Sequence, residues 1–444
     1  MMQKIATKDF SRVAVYLFLA SCLVILNYFT PRANFAQLLT FYLAAFAAYF
    51  YILFYWKDEN VDEAKYVSIL FRVLLLFSVP NLSDDVYRFV WDGHMMLGGA
   101  NPYLSTPTVF YQTLNMHEFD FSDAVYNNLN SKEYYSVYPP ICQMIFFISA
   151  ALSFENLSVN IFLLKVFILL SEFGTIYFLQ KIIRLKGVPA KNILFYSMNP
   201  LILIELTGNV HFEAAMIFFL TLSVYLLLQN KFYLSAIFLG LAAASKIWPL
   251  FLLPFFISYF GWRKTILYAG TVCIVFFLSF VPFFSPQTFL NISESLQLYF
   301  VSFEFNASLY YLLKFITGQQ MHAKEIIQTL LPAIYLLVLV MLAWKFNKED
   351  KLQFFLFAFF LYMMFATTVH PWYLAPLLLF SCITRFRFPV LWSCLICFTY
   401  ITYKGAGFEQ NFYVITLEYV LLLSFVLFEL FGGERKKFLA KTGL

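Results

Sequence analysis

Charged residues are scarce in this sequence. Lysine, arginine, aspartate and glutamate together make up only 12% of its 444 residues, whereas 61% are hydrophobic and the mean hydropathy is +0.74. A soluble domain needs far more polar surface than this composition can supply. The composition therefore excludes a soluble protein and predicts an all-α, polytopic membrane protein.

Other absences narrow the class of function. The sequence contains no glycine-rich nucleotide loop, which argues against a cytoplasmic enzyme that uses a nucleotide sugar. It also lacks the basic, aromatic surface that nucleic-acid binding needs, so no nucleic-acid partner is expected. The six cysteines lie within or beside apolar runs, and the CxxC formed by Cys394 and Cys397 is interpreted as two small residues on one membrane helix.

Aromatic residues are abundant. They make up 21% of the chain, and phenylalanine alone accounts for 58 positions. This number exceeds what contact with lipid requires. We expect much of it to serve helix packing and to line an apolar tunnel or groove.

The distribution of charge predicts the orientation of the chain. Lys4, Lys8 and Arg12 precede the first apolar run, at about 13–29, which indicates a cytoplasmic N-terminus. Further spans at about 35–56 and 66–80 bring the chain out on the non-cytoplasmic face. The loop that follows runs to about Val137 and contains seven acidic residues against two basic ones, Arg88 and Lys132. The acidic residues are Asp84, Asp85, Asp92, Glu118, Asp120, Asp123 and Glu133.

The segment 138–153 has about fifteen apolar residues, which is short for a crossing. A full span here would place four basic residues between 181 and 191 outside, so we expect a re-entrant or interfacial helix. Later spans are predicted near 158–180, 192–206, 210–228, 232–246, 247–260, 264–284, 326–345, 352–368, 371–384, 388–403 and 412–431. The total is 12 to 14 spans with both termini cytoplasmic. The segments are 1–80, with the first helices, 81–157, with the external loop, and 158–444, all within one membrane domain.

The stretch from Ser83 to Pro107 is a polar island between apolar segments. Asp85, Arg88 and Asp92 are spaced i, i+3, i+7, so a helix would place them on one face together with Asp84. A helix that begins at Asn81 or Ser83 has its first carboxylates at its positive end. The sequence GGANP must end this helix.

Further polar residues are predicted at the same membrane face. Glu205, His211, Glu213 and Lys246 are expensive at membrane depth, at about 2.5 to 3.5 kcal/mol for a charge at a helix centre. The external links also contain FNASLYYLL and HPWY, residues 370–373. This one-sided clustering predicts a functional site that faces outward.

These motifs carry a resemblance. The motifs that carry it are, in order, SDDVYRFVWDG, GxNPY, YPP, NPL, GxxHFE, KxWP and HPWY. Over residues 83–373, the sequence resembles the GT-C superfamily of integral-membrane glycosyltransferases. More narrowly, it resembles the bacterial polyprenol-phosphate-mannose-dependent mannosyltransferases. The resemblance implies a GT-C-like helical bundle with a large external catalytic loop. It also implies transfer of a hexose, most often mannose, from a polyprenyl-phosphate carrier to a hydroxyl of a glycolipid, glycan or protein at the outer face of the cell membrane.

The resemblance also implies roles for residues. An acidic residue at the start of the first large external loop is the base in that family, which points to Asp85, with Asp84 as second choice, in an inverting reaction. Lys246 and Arg88 are expected to bind the donor phosphate. The residues expected to bind substrate are Asp92, Asn101, Tyr103, His211, Glu213, His370 and Tyr373. The carrier's isoprenoid tail would lie between helices, among membrane lipids.

Alternative interpretations stay open from the sequence. Asp84 and Asp85 could cap a helix, Arg88 and Asp92 could form a structural pair, and Lys246 could reach phospholipid headgroups. His211 with Glu213 could be a satisfied buried pair, His370 could cap a helix, and Trp372 and Tyr373 could belong to an interfacial aromatic belt. A metal site from Asp84, Asp85, His211 and Glu213 is conceivable, but no ligand spacing demands one, so no metal or other cofactor is expected.

Two other functions also fit part of the sequence. Broken helices and many spans would suit a secondary transporter or a flippase of lipid-linked glycans, but the sequence shows no internal repeat and its polar groups lie at one face. A glycan ligase or polymerase of the same superfamily would differ in using a polyprenyl-diphosphate donor.

Overall fold

The computed structural model describes residues 2–113, 122–318, 321–345, 351–404 and 407–442. Within these ranges the chain is mostly helical, and its strands form one antiparallel pair, β1 Tyr403–Lys404 with β2 Gly407–Phe408. Glu118 and Asp120 of the acidic loop lie outside the described residues, as does the link at 346–350. The predicted all-α class is confirmed.

The first half of the chain supplies the acidic loop and the helices around it. Its helices are α1 Met2–Val24, α2 Phe35–Tyr55, α3 Val61–Leu74, α4 Asp85–Leu97, α5 Pro107–Thr113, α6 Ser122–Asn127, α7 Pro140–Ala151, α8 Leu157–Lys186, α9 Leu194–Ser197, α10 Pro200–Ile202 and α11 Glu213–Leu228. Short 3₁₀ turns occur at Asp58–Asn60, Leu75–Phe77 and Ala190–Ile193, and π-helical turns at Ile25–Phe29 and Leu203–Gly208.

The second half completes the bundle. Its helices are α12 Phe232–Ala243, α13 Phe255–Phe260, α14 Trp262–Ser279, α15 Pro286–Ser302, α16 Leu309–Ile316, α17 Met321–Lys345, α18 Lys351–Phe365, α19 Ala375–Ser381, α20 Phe388–Leu395 and α21 Phe412–Thr442. Its 3₁₀ turns are Trp248–Leu252, Val281–Phe283, Pro371–Leu374 and Ile396–Thr402.

Several helices are long and apolar enough to cross a membrane. Among the described residues there are six such helices, or seven if Pro200–Gly208 and Glu213–Leu228, which meet at an angle of 116°, form one broken span. In the same described part of the chain, five further apolar helices are only 10–17 residues long. A polytopic membrane protein is therefore confirmed. The expected count of 12 to 14 spans, which needs short helices to cross as well, stays a prediction.

The acidic helix α4 packs against α7. Asp85 is its first residue, so the helix begins slightly later than Asn81 or Ser83, and it ends at Leu97, directly before the predicted breaker. Helix α7 has 12 residues, which at 1.5 Å per residue is about 18 Å, well short of the ~30 Å hydrocarbon core. This length agrees with the interfacial helix expected at 138–153.

The glycine of the WDG motif allows the close contact between α4 and α7. A Cβ atom on Gly93 would lie 2.4 Å from the carbonyl oxygen of Phe146, and Phe89 stacks on the ring of the same Phe146 at 4.7 Å between centroids. The obstructing atom belongs to backbone, so it cannot move aside as a side chain would. Glycine at this position therefore sets the distance between the two helices.

Gly93→Ala is expected to destabilise the protein by about 1 to 3 kcal/mol, because the added methyl group forces α4 and α7 apart. Thermal unfolding of the detergent-solubilised protein measures the effect. Gly270→Ala in α14 is the matched control: its Cβ would meet nothing within 4 Å, and alanine is the better helix former by about 1 kcal/mol. Equal thermal stability of the two variants would contradict the packing argument.

A buried ion pair joins α3 and α8. Arg72 donates to Glu172 from Nε at 3.0 Å and from Nη2 at 2.7 Å, and both side chains are fully buried. Arg72 also donates to the carbonyls of Ser68 and Ser197, and Tyr196 donates to Glu172. The guanidinium and both carboxylate oxygens are thus hydrogen-bonded within the protein, so we assign this ion pair a structural role.

Candidate active site

The two neighbouring aspartates at the start of α4 have different partners. Asp84 accepts a hydrogen bond from Arg32 at 2.6 Å, and the guanidinium of Arg32 lies 4.3 Å from the ring centroid of Tyr403. Asp85 accepts from the amide of Asn130 at 3.2 Å. Asp84 is thus neutralised by an arginine, whereas Asp85 has a neutral hydrogen-bond partner. Asp84 occupies the N-cap position of α4, but its side chain makes no capping hydrogen bond. The backbone N–H of Asp85 donates instead to the hydroxyl of Ser83.

The surroundings of Asp85 suit a base. Burial raises the pKa of its carboxyl group above the ordinary value, while the hydrogen bond from Asn130 and the positive charge of Lys246 lower it. The negative charges of Glu213 and Asp84 raise the pKa of Asp85 further. The charges that act on Asp85 thus come from residues far apart in the chain.

Arg88 and Asp92 hold the loop that carries Asn130. Arg88 Nε donates to Asp92 at 2.7 Å, and its Nη1 donates to the carbonyls of Ser131 and Tyr134 at 2.9 and 3.0 Å. Asp92 also accepts from Ser136 at 2.6 Å and from Gln143 of α7 at 3.0 Å. These contacts are structural. Phosphate binding by Arg88 and substrate binding by Asp92 stay predictions.

Asn101 and Tyr103 attach the acidic loop to later parts of the chain. Asn101 donates to the carbonyl of Phe283 at 3.2 Å, and the hydroxyl of the fully buried Tyr103 donates to the carbonyl of Tyr138 at 2.6 Å. Asn291 donates to the carbonyl of Tyr103 at 2.8 Å. The structure thus gives both residues partners within the protein, and their expected contacts with substrate stay predictions.

The GxxHFE motif forms a strained turn between the π-helical turn Leu203–Gly208 and α11. Val210 has φ = +62°, a conformation that a β-branched residue rarely adopts and that costs about 1 to 3 kcal/mol. Asn209 braces this turn against the start of the acidic loop, since its side chain accepts from the backbone N–H groups of Asn81 and Leu82 at 3.3 and 3.0 Å. The brace thus connects the turn that carries His211 to the start of the acidic loop.

Lys246 forms an ion pair with Glu213 at the N-terminus of α11. The nitrogen-to-oxygen distance is 2.7 Å, and Glu213 is 1% exposed. The ammonium group also lies 5.4 Å from the ring centroid of Trp248 and 5.6 Å from that of Tyr373. Lys246 therefore points into the protein, and an assignment to lipid headgroups does not fit these contacts.

Helix α7 holds the segment that carries Lys246. The backbone N–H of Ile141 donates to the carbonyl of Ala244 at 3.1 Å, and the thiol of Cys142 donates to the carbonyl of Ser245 at 3.2 Å. The same helix packs against α4, which carries Asp85. Helix α7 therefore contacts both the segment of Lys246 and the helix that carries Asp85.

The HPWY motif stacks its rings on GxxHFE. The rings of His211 and Trp372 are 3.6 Å apart between centroids and nearly parallel, and those of Trp372 and His370 are 4.4 Å apart. His370 also stacks on Phe305 at 4.8 Å. Trp372 and Tyr373 are 8% and 7% exposed, so these aromatic residues are buried, whereas an interfacial belt would face the lipid.

Arg32, Tyr403 and Asn130 belong to this site but were missed in the sequence. Arg32 lies in the short link after α1, and Tyr403 lies in β1 near the end of the chain. A signal for Arg32 existed: the predicted topology places its link on the non-cytoplasmic side, where basic residues are disfavoured. Tyr403 and Asn130 had no such signal, because each lies among other polar or aromatic residues.

The four side chains considered as metal ligands have protein partners. Asp84 contacts Arg32, Asp85 contacts Asn130, Glu213 contacts Lys246, and the Nδ1 of His211 lies 2.7 Å from the carbonyl oxygen of Glu205. Within the described ranges, no group of three or more His, Cys, Asp or Glu side chains is arranged to hold a metal ion. The expectation that no metal or other cofactor takes part stays a prediction.

One family model matches the chain. It is described as alpha-(1->6)-mannopyranosyltransferase, N-terminal domain, of the MptA_B family, and the match covers residues 15–261, more than half of the sequence. The matched range contains Arg32, both aspartates at the start of α4, the GxxHFE motif and Lys246. No curated protein matches the sequence.

Proposed function

Since the chain belongs to the MptA_B family of alpha-(1->6)-mannopyranosyltransferases, we propose that it transfers mannose from a polyprenyl-phosphate carrier to a hydroxyl group, with Asp85 as the base. A mannosyltransferase needs a sugar donor and an acceptor. The observation that best supports the assignment of roles is the contrast between Asp84, paired with Arg32, and Asp85, which has an amide partner and lies within the field of Lys246.

In the proposed reaction, the acceptor oxygen attacks C1 of the mannose while the bond from C1 to the phosphate oxygen breaks. Asp85 takes the proton of the attacking hydroxyl, and Lys246 stabilises the negative charge that grows on the departing polyprenyl phosphate. A single displacement inverts the anomeric centre, so an α-linked product requires a β-linked donor. The family description further suggests that the attacking group is a primary 6-hydroxyl of a glycolipid or glycan acceptor; a protein acceptor is the alternative.

We propose that this site faces the non-cytoplasmic side of the cell membrane, with both termini in the cytoplasm. The basic residues at the N-terminus and in the links at 181–191 and 263–264 support this orientation. An isoprenoid carrier would reach the site from the bilayer, along the lipid-facing helices.

Mannose transfer from a radiolabelled short-chain polyprenyl-phosphate donor tests the proposal. Purified wild type is expected to transfer label from this donor to an endogenous membrane acceptor. GDP-mannose and a polyprenyl-diphosphate donor are tested in parallel reactions. Label from the monophosphate donor alone supports the proposal. Transfer from the diphosphate donor alone would instead indicate the ligase or polymerase reaction, and transfer from GDP-mannose would contradict a lipid-borne donor.

The pH dependence of transfer follows from the raised pKa of Asp85. A base acts in its ionised form, so kcat/KM is expected to rise with pH, through an apparent pKa above the ordinary aspartate value of 3.8. The charge of Asp84 raises the pKa of Asp85. Asp84→Asn should therefore move the rise of kcat/KM to lower pH. As a control for unfolding, the enzyme is first held at each pH and its rate is then measured at neutral pH. A kcat/KM that falls across the same range would contradict the assignment.

A further inference from the structure

His211 lies in a rigid frame formed by three parts of the chain. Its Nδ1 is 2.7 Å from the backbone carbonyl oxygen of Glu205 and 3.6 Å from a carboxylate oxygen of the same residue. The other carboxylate oxygen of Glu205 accepts from the hydroxyl of Tyr400, and the imidazole ring lies against Trp372. The backbone contact and the stacked ring together prevent rotation of the imidazole.

This frame determines which ring nitrogen carries the proton. A carbonyl oxygen can only accept, so the short contact with Glu205 requires that Nδ1 of His211 be the donor. A neutral imidazole has one N–H, and its Nε2 then carries a lone pair. The frame therefore presents a hydrogen-bond acceptor at Nε2.

The Nε2 atom is buried, since His211 is only 2% exposed. It nevertheless has no hydrogen-bond partner in the part of the chain that the structure describes. Buried polar atoms are paired in the great majority of cases, and an unpaired one is destabilising. A lone pair attracts a hydroxyl hydrogen and repels the oxygen atoms of a phosphate. The atom is thus suited to a sugar hydroxyl and unsuited to the carrier's phosphate.

We propose that Nε2 of His211 accepts a hydrogen bond from a hydroxyl of the transferred mannose, and that Glu205 and Tyr400 are positioning residues that hold the ring in this tautomer. The inference rests on the proposed function and adds a determinant of sugar specificity to it. Glu205 and Tyr400 lie 195 positions apart, so a frame of this kind joins the GxxHFE region to the end of the chain.

The tautomer can be measured without any transfer reaction. The chain contains five histidines, so ring-¹⁵N labelling gives few signals, and the spectrum of His211→Gln assigns the one from His211. A pyridine-type Nε2 and a pyrrole-type Nδ1 are expected, with the Nε2 signal moving when mannose donor is added. A pyrrole-type Nε2 would overturn the proposal. Tyr400→Phe should leave the protein folded and broaden or shift the Nδ1 signal.

Deoxy donors test the contact with sugar. Wild type is expected to discriminate by at least about tenfold in kcat/KM against one of the monodeoxy mannosyl donors, since an analogue without the hydroxyl leaves Nε2 unpaired. His211→Phe keeps a ring against Trp372 but offers no acceptor, so this ratio should fall to about one. His211→Gln, which can place an amide oxygen near the Nε2 position, should restore part of the discrimination.

The outcomes of this comparison separate the two proposals. Discrimination that is unchanged in a well-folded His211→Phe protein would overturn the role of His211 while leaving the mannose transfer intact. Failure of wild type to use any mannosyl donor would overturn the proposed function, and the ¹⁵N measurement would still decide the tautomer.

Discussion

Asp85→Asn is expected to lower kcat for mannose transfer by about 10² to 10⁴-fold, the range that a positioned base contributes. Asparagine keeps the shape of the side chain and its contact with Asn130, but it cannot take the proton of the attacking hydroxyl. The donor's KM should change little, because the phosphate is bound elsewhere. Initial rates with saturating donor and acceptor measure the effect, and thermal unfolding confirms that the variant is folded.

Asp84→Asn is the matched control for this variant. The two residues are adjacent, but Asp84 is already paired with Arg32 at 2.6 Å. Because a partly exposed ion pair contributes little free energy, the loss of this carboxylate should lower kcat by less than about tenfold. The opposite result, a silent Asp85→Asn and an inactive Asp84→Asn, would move the role of base to Asp84.

Lys246→Ala is expected to lower kcat/KM for the donor by about 10² to 10³-fold, as the loss of a group that stabilises transition-state charge does. The acceptor's KM should change less than the donor's, since the lysine is assigned to the phosphate. Steady-state rates with each substrate varied in turn measure the two effects. Lys264→Ala, at an exposed position of α14, controls for a general loss of positive charge.

Removal of Lys246 also leaves the buried carboxylate of Glu213 unpaired, which is itself destabilising. The double variant Lys246→Met/Glu213→Gln separates these effects, because it removes both charges and keeps similar side-chain volume. If the lysine binds phosphate, transfer stays low in the double variant although thermal stability returns. Recovery of transfer together with stability would show that Lys246 acts only by neutralising Glu213.

Hydrogen bonds between separate segments hold the candidate site in the helical bundle. Asn209 hydrogen-bonds the start of the acidic loop, Arg88 holds the loop that carries Asn130, and Ala244 accepts from Ile141 of α7. The first two contacts link segments that both contribute a residue to the site, and the third ties the segment of Lys246 to the helix that packs against α4. Small changes in helix packing, such as the one expected for Gly93→Ala, should therefore affect activity as well as stability.

The sequence by itself determined the protein class and the parts of the site that depend on local pattern. Composition established an all-helical membrane protein, the GGANP segment predicted the end of α4, and the apolar length of 138–153 predicted a helix too short to cross. The motifs that carried the resemblance also identified Asp85, Lys246 and His211 as candidates. These properties depend on a few neighbouring residues, so spacing along the chain is enough to predict them.

Only the tertiary structure decided which partner each polar residue has. The sequence ranks Asp85 before Asp84 only through the resemblance, and the difference between their surroundings comes from Arg32, which is 52 positions away from Asp84. The acceptor at Nε2 of His211 follows from Glu205, Trp372 and Tyr400, which come together through helix packing across the bundle. The spacing of charges along the chain predicts which residues are neighbours on one helix. Partners on different helices depend on how the apolar faces of those helices pack, and the spacing does not predict that packing.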